Sequence, residues 1–268
     1  MSTVQRVLAV SPHLDDAALS AGATLADLVA QGADVQVVTL FAGVPDESLS
    51  AVARVFHANC GLPENASAFT LRLDEDQAAM DELGARPQHC GFLDAIYRRA
   101  PDGSWLCGHD RAMFDDLPLD QNGLLGELSG EIGRILAAVA PDLVLTCAAM
   151  GNHIDHRLTR AAALDAVSGT EVRILLWEDI PYAINHSPIT TRPSLTRTTP
   201  PGAWERKWRA IARYTSQVRM LWSADADWIA ELFTHATIRG DGRPAELFIP
   251  PTGMPPDPVK RSGVVSGG

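Results

Sequence analysis

The feature that most constrains this chain is a change of hydrophobic period close to its start. "RVLAV" (6–10) is a short apolar run, "LSAGATLADLVAQ" carries apolar residues at helical spacing up to Gly32, and "DVQVVTLF" (34–41) is a second apolar run. Strand, helix and strand in that order make a βαβ unit, whose crossover helix forces the two strands to run parallel. A sheet built this way is covered on both faces, so its strands read as nearly continuous apolar runs.

The alternation continues. The spacing predicts a helix through "SAVARVFHANCGL", a short strand "AFTLRL" (68–73) and a helix "DEDQAAMDELG" ending at Gly84. A helix near 122–139, the strand "PDLVLTCAAM" (141–150), a helix beginning in "GNHIDHRLTRAAALDAV" and the strand "EVRILLW" (171–177) follow, with helices to about residue 236 and a polar tail. Residues 85–120 lack a sustained period and read as a surface excursion or cap, and 188–203 as a Pro-rich loop. The expected fold is α/β: a three-layer, Rossmann-like, mostly parallel sheet with helices on both faces and long capping loops. Residues 1–250 are expected to form a single domain and 251–268 a flexible C-terminal tail.

Composition removes several functions. A formal charge of −11 with scattered basic residues opposes a nucleic-acid partner, which needs clustered Lys and Arg to displace counterions. The locally cationic stretch 197–214 reads as a helix with a wet basic face and an apolar face of Trp204, Trp208, Ile211 and Ala212. No apolar run approaches the roughly 18 residues of a membrane span. Nothing at the start resembles a secretory signal, so a cytoplasmic location is the expectation. Homo-oligomerisation is left open. The four cysteines (Cys60, Cys90, Cys107, Cys147) have no CxxC or framework spacing and are expected to be small buried hydrophobes.

In parallel α/β sheets ligands gather outside the carboxyl ends of the strands. Two polar clusters fall at that edge: "SPHLDD" (11–16) after the first strand and "GNHIDH" (151–156) after "PDLVLTCAAM". His13 and Asp16 are separated by two residues, so one tight turn can aim both at a single ion, with Asp15 left to point elsewhere. His153 and His156 are three apart, close to one helical turn, with Asp155 between them. Three ligands plus spare acid/base groups suit a catalytic metal better than a structural one. A dinucleotide site is excluded because two carboxylates would repel the pyrophosphate in that first turn. A serine nucleophile has no GxSxG elbow.

"PHLDDAALSAGATL" followed by "HIDH" resembles the paired signature motifs of the PIG-L or LmbE-like de-N-acetylases, zinc hydrolases that remove acyl groups from amino sugars. Weaker resemblance runs to about residue 222. Within the family, "FAGVP", "GFLDAIYRRAPDGSW", "TCAAMGNHIDH" and "LLWEDIPYA" are most similar to the teicoplanin-type deacetylases of glycopeptide-antibiotic biosynthesis. The resemblance implies zinc (Zn2+) held by His13, Asp16 and His156, with Asp15 as general base. It implies His153 as donor to the oxyanion or to the leaving amine, and Asp155 as a carboxylate orienting a histidine. Arg72, at a helix start, and Asp94, in the "GFLDAIYR" loop, match substrate-contact positions. The sequence departs from the motif at Ala17, where the family has glutamate, and at Leu14 and Ile154, where it has proline.

The function expected on these grounds is removal of the N-acetyl group from an N-acetylglucosamine unit on a glycosylated natural product. The excursion 85–120 and the loop 188–203 would form a lipophilic rim for a bulky substrate. A small free substrate, of mycothiol or aminoglycoside-precursor type, is the alternative enzyme reading. A metal-dependent sugar-binding pseudoenzyme is the non-enzymatic one, disfavoured because binding alone needs no base such as Asp15.

Overall fold

The computed structural model describes residues 4–45, 49–63, 67–119, 122–185 and 194–251. Seven strands form one sheet: β1 (Arg6–Ser11), β2 (Asp34–Thr39), β3 (Arg86–His89), β4 (Leu143–Cys147), β5 (Arg173–Trp177), β6 (Leu195–Thr198) and β7 (Ala245–Ile249). Their order across the sheet is β3-β2-β1-β4-β5-β7-β6, parallel from β3 to β5, with β7 antiparallel to both β5 and β6.

Eight α-helices accompany the described strands: α1 (Asp16–Ala30), α2 (Ala51–Cys60), α3 (Ser67–Leu83), α4 (Leu124–Val139), α5 (Ile154–Val167), α6 (Pro201–Arg213), α7 (Thr215–Leu221) and α8 (Trp228–Arg239). The period-2 geometry of β1 divides the core. Val7 and Ala9 pack with Leu25 of α1, Met80 of α3 and Trp204 of α6, whereas Leu8 and Val10 pack with Ile132 of α4 and Leu158 of α5. Those two clusters are the interfaces of a three-layer α/β domain, as the alternation predicts.

Five local expectations are corrected. "AFTLRL" is the first part of α3, not a strand. Its buried positions Phe69, Arg72, Asp76, Met80 and Leu83 recur at helical spacing, and Leu71, which created the false alternation, is 47% exposed. The excursion contains the edge strand β3, and β6 and β7 lie where a Pro-rich loop and a polar tail are expected. These strands are only four or five residues long. The face of α6 also differs: Ala212 is exposed, while Lys207 is buried against Glu246 with Nζ 2.7 Å from Oε1. All four cysteines are buried and free. Residues 252–268 of the predicted tail 251–268 and residues 188–193 of the Pro-rich loop lie outside the described residues.

The order of the sheet locates the ligand site. From β1 the chain moves through α1 to β2 on one side, and β4 pairs with β1 on the other. The crevice between the carboxyl ends of β1 and β4 is therefore the topological switch point. Both polar clusters open there.

Candidate functional site

The turn after β1 delivers its side chains without spending them on the helix. Asp15 is the N-cap of α1 but makes no side-chain capping bond. Asp16 Oδ2 accepts the His13 N–H at 2.9 Å and lies 3.2 Å from His13 Nδ1 and 3.3 Å from His156 Nε2. Across the crevice, Ala149, Gly151 and Asn152 have positive φ (61°, 82° and 65°). Gly151 is needed twice over, because a Cβ there would also stand 2.7 Å from the Tyr182 ring. That tight loop makes His153 the N-cap of α5 and places His156 one turn further along.

Each ligand-type histidine is held at its far nitrogen by a carboxylate. His156 Nδ1 lies 2.8 Å from Asp179 Oδ1, and Asp179 Oδ2 accepts the Met150 N–H at 3.0 Å. His13 Nε2 lies 3.1 Å from Asp155 Oδ2, which also accepts the Ala95 N–H at 2.9 Å. With these nitrogens donating, His13 Nδ1 and His156 Nε2 keep lone pairs that converge on Asp16. His156 Nε2 is buried and has no hydrogen-bond partner among the described residues. The histidine that the side chain of Asp155 meets is thus His13. Its backbone N–H donates to His153 Nδ1 at 3.2 Å, leaving His153 to carry its proton on Nε2.

The charge balance fits a cation. Asp15, Asp16, Asp94, Asp155 and Asp179 are all buried here, and the arginines among them are the buried Arg72 and the partly buried Arg98. Such buried negative charge is costly unless it is compensated, by protons on His13 and His156 or by a cation that takes their place. His13, Asp16 and His156 present one ligand atom each within 4.8 Å of one another. Two imidazoles and a carboxylate are the donor set of a catalytic zinc site.

Titration reflects the same crowding. Burial, reinforced by Asp16, pushes Asp15 up to about 6 against the opposing pull of Arg72. Burial would also raise Asp16, but His156 and His13 hold it well below the usual carboxylate range. Burial is the largest influence on His153 and keeps it well below the ordinary imidazole value, hence neutral. Burial alone would do the same to His156, yet Asp16 and Asp179 push it up to about 9.

A cavity of about 330 Å³ opens above the cluster, lined by His13, Asp15, Asp16 and His153 and by the predicted Arg72 and Asp94. Arg72 lies in the body of α3 rather than at a helix start, with Nη2 4.0 Å from Asp15 Oδ1. Asp94 caps the Ala95–Tyr97 turn by accepting the Ile96 N–H, and its other oxygen is 3.5 Å from His13 Nε2. The apolar rim comes from Val52, Val55 and Phe56 of α2, Met113 and Phe114 of the excursion, and Leu221 of α7. Among the described residues, none of the 188–203 loop lines it. Sequence reasoning missed Asp179, Arg98 and Tyr182. Asp179 carried a usable signal, since "WED" sets a carboxylate at the carboxyl end of a third strand on the same sheet edge.

An α/β sheet with a His, Asp and His cluster at its switch point defines a class: hydrolase-type folds with a site suited to a divalent cation. Residues 8–167 match the family described as PIG-L, GlcNAc-PI de-N-acetylase, and the chain belongs to this family of amide-hydrolysing deacetylases. Among solved structures, teicoplanin deacetylase Orf2 in its zinc-inhibited form is 37% identical with a TM-score of 0.83, covering 92% of this chain and 97% of that one. The A40926 pseudoaglycone deacetylase Dbv21 is 35% identical with a TM-score of 0.78, covering 93% and 97%. A 2'-N-acetylparomamine deacetylase from Streptomyces fradiae is 30% identical over 185 residues, which is 66% of this chain but 58% of that relative. No helix among the described residues is long and apolar enough to cross a membrane.

Proposed function

We propose that this chain is a zinc-dependent N-deacetylase that hydrolyses the acetamide of an N-acetylglucosamine unit on a bulky glycosylated natural product of glycopeptide type. One observation carries this assignment. His13, Asp16 and His156, from two distant loops, each present a ligand atom within 4.8 Å of one another, and His13 and Asp16 line one cavity together with Asp15, a carboxylate outside that set, and the neutral imidazole of His153.

Zinc held by His13 Nδ1, Asp16 and His156 Nε2 would act as a Lewis acid, easing the ionisation of water and polarising the amide carbonyl. Asp15, poised near neutrality, takes the proton of the attacking water as the C–O bond forms. His153 donates from Nε2 to the developing oxyanion, and it is fixed for this by the Asp155 N–H on Nδ1. The positive ends of α1 and α5 face the same point and favour the same charge. Proton delivery from Asp15 to the amide nitrogen then lets the C–N bond break, releasing acetate and a free amine. Arg72 offers donors and Asp94 acceptors to the sugar hydroxyls.

The apolar rim supports a large partner for the sugar, as does similarity to two glycopeptide deacetylases over more than nine-tenths of both chains. We take residues 1–250 as a single catalytic domain, and place it in the cytoplasm, where four buried thiols stay reduced. The test is to incubate zinc-loaded protein with N-acetylated sugars, both free and linked to a peptide aglycone, and follow acetate and the loss of an acetyl mass. Aglycone-linked N-acetylglucosamine should turn over fastest. Preference for a free pseudodisaccharide would transfer the assignment to the aminoglycoside type, and zinc binding without acetate release would leave a sugar-binding protein.

A further inference from the structure

The segment "GFLDAIYR" (91–98), whose resemblance is to a substrate loop, also grips the metal cluster from behind. Three of its groups meet there: Asp94 Oδ2 is 3.5 Å from His13 Nε2, the Ala95 N–H donates to Asp155 Oδ2, and Arg98 Nη2 lies 2.6 Å from Asp155 Oδ1. We propose that Arg98 is a positioning residue for the metal centre, holding Asp155 so that His13 presents Nδ1 to the cation. The proposal rests on the ligand set assigned above.

The geometry assigns each atom one task. Asp155 is fully buried, and its Oδ2 already takes two donors, His13 Nε2 and Ala95 N. Among the described residues, Oδ1 faces only the Arg98 guanidinium. That guanidinium is itself pinned: Nη1 donates to the Leu93 carbonyl at 3.0 Å and the carbon centre sits 5.1 Å over the Phe41 ring. Phe41 in turn stands 6.1 Å from the imidazole of His13. Arginine, aromatic ring and histidine thus form one packed unit around a carboxylate that has no access to water.

Removing the guanidinium leaves a buried carboxylate without its counter-charge, a costly state. Asp155 must then take a proton or turn away, and either change frees His13 Nε2. The imidazole is no longer bound to the tautomer that leaves Nδ1 bare, and one of three ligands becomes unreliable. The clamp on His156 is built differently, because Asp179 is met by His156 Nδ1 and a backbone N–H, with no basic side chain among its described contacts. Arg98 therefore acts on His13 alone.

The experiment compares wild type with Arg98→Met, Arg98→Lys, Asp155→Asn and the double variant Arg98→Met/Asp155→Asn. Zinc affinity is read by competition with a chromophoric chelator, and the cobalt(II) form gives the visible ligand-field spectrum. Metal-free melting curves report folding separately. Arg98→Met should weaken zinc binding about 10–100-fold, the usual effect of removing a group that orients a ligand, and should shift the cobalt bands. Arg98→Lys should recover part of the loss, and the double variant should bind zinc no worse than Asp155→Asn alone. Wild-type zinc affinity in Arg98→Met, or losses that multiply in the double variant, would overturn the proposal. If Arg98→Met does not fold, wild-type affinity in both Arg98→Lys and Asp155→Asn overturns it equally. A wild-type protein that binds no stoichiometric zinc refutes the ligand set instead, so the two failures are distinguishable.

Discussion

Replacing Asp179 by Asn tests whether the carboxylate from β5 sets the tautomer of His156. Asp179 accepts two hydrogen bonds, His156 Nδ1 at 2.8 Å and the Met150 N–H at 3.0 Å, one on each oxygen. Asparagine has the same shape but only one oxygen, so one of the two donors must face an NH2. If the amide oxygen stays on His156, the Met150 N–H is left unsatisfied, costing about 1–3 kcal/mol of fold stability. The bond to His156 also weakens from a charged to a neutral acceptor. If the oxygen turns to Met150, the NH2 faces His156 Nδ1 and drives its proton onto Nε2, the nitrogen needed by the metal. Either way zinc affinity should fall about 10–100-fold, or about 1.4–2.8 kcal/mol. The metal-free protein should melt lower by about 2–4 °C for each kcal/mol lost. Chelator competition and a thermal melt measure the two effects independently. Wild-type zinc affinity together with a wild-type melting temperature would show that the carboxylate orients nothing.

Three further outcomes follow from the same structure. Asp15→Asn should keep zinc at wild-type affinity while lowering kcat about 10²–10⁴-fold, the range of a lost general base; substantial residual turnover would remove Asp15 from that role. Val55→Asp, at a rim position 54% exposed, should raise KM for an aglycone-linked sugar about tenfold and leave a free N-acetyl sugar unaffected, as parallel steady-state assays on the two substrates will decide. Lys207→Met leaves Glu246 buried without its ion pair and should cost about 3–5 kcal/mol in urea melts, with kcat per folded molecule unchanged.

The parallel half of the sheet was legible because a buried strand and an amphipathic helix have different periods, and both were long enough to show them. What the sequence hid was short or two-faced. β3, with "RPQH", and β6, with "LTRT", are edge strands of four residues with half their side chains in water, so they carry no apolar run. β7 holds Glu246, whose carboxylate accepts the Ala23 and Thr24 N–H groups of α1 as well as Lys207. A charged residue in a five-residue stretch argues against a buried strand until its partners, more than 200 residues away in α1, are known. In "AFTLRL" local alternation competed with a helical pattern that only the next ten residues reveal.

The candidate site divides along a similar line. His13, Asp15, Asp16, His153, Asp155 and His156 stood out because each follows a strand at one sheet edge, and short-range spacing is enough to aim neighbours at a common point. Asp155, which meets His13 Nε2, is one of these, but the carboxylate on His156 and the proposed support of Asp155 come from elsewhere. Asp179 arrives from the end of β5 and Arg98 from the excursion, separated from their targets by 23 residues in one case and 57 from Asp155 in the other. Ala17 makes the point from the opposite direction. Alanine stands there where the family has glutamate, yet both histidines meet a carboxylate, Asp155 for His13 and Asp179 for His156. The motifs therefore carry the proposed ligands and the carboxylate on His13, while the order of the strands brings in the carboxylate on His156. A chain can lose a motif carboxylate and still hold both imidazoles in register, provided the ends of β4 and β5 and the 92–98 turn stay packed against β1.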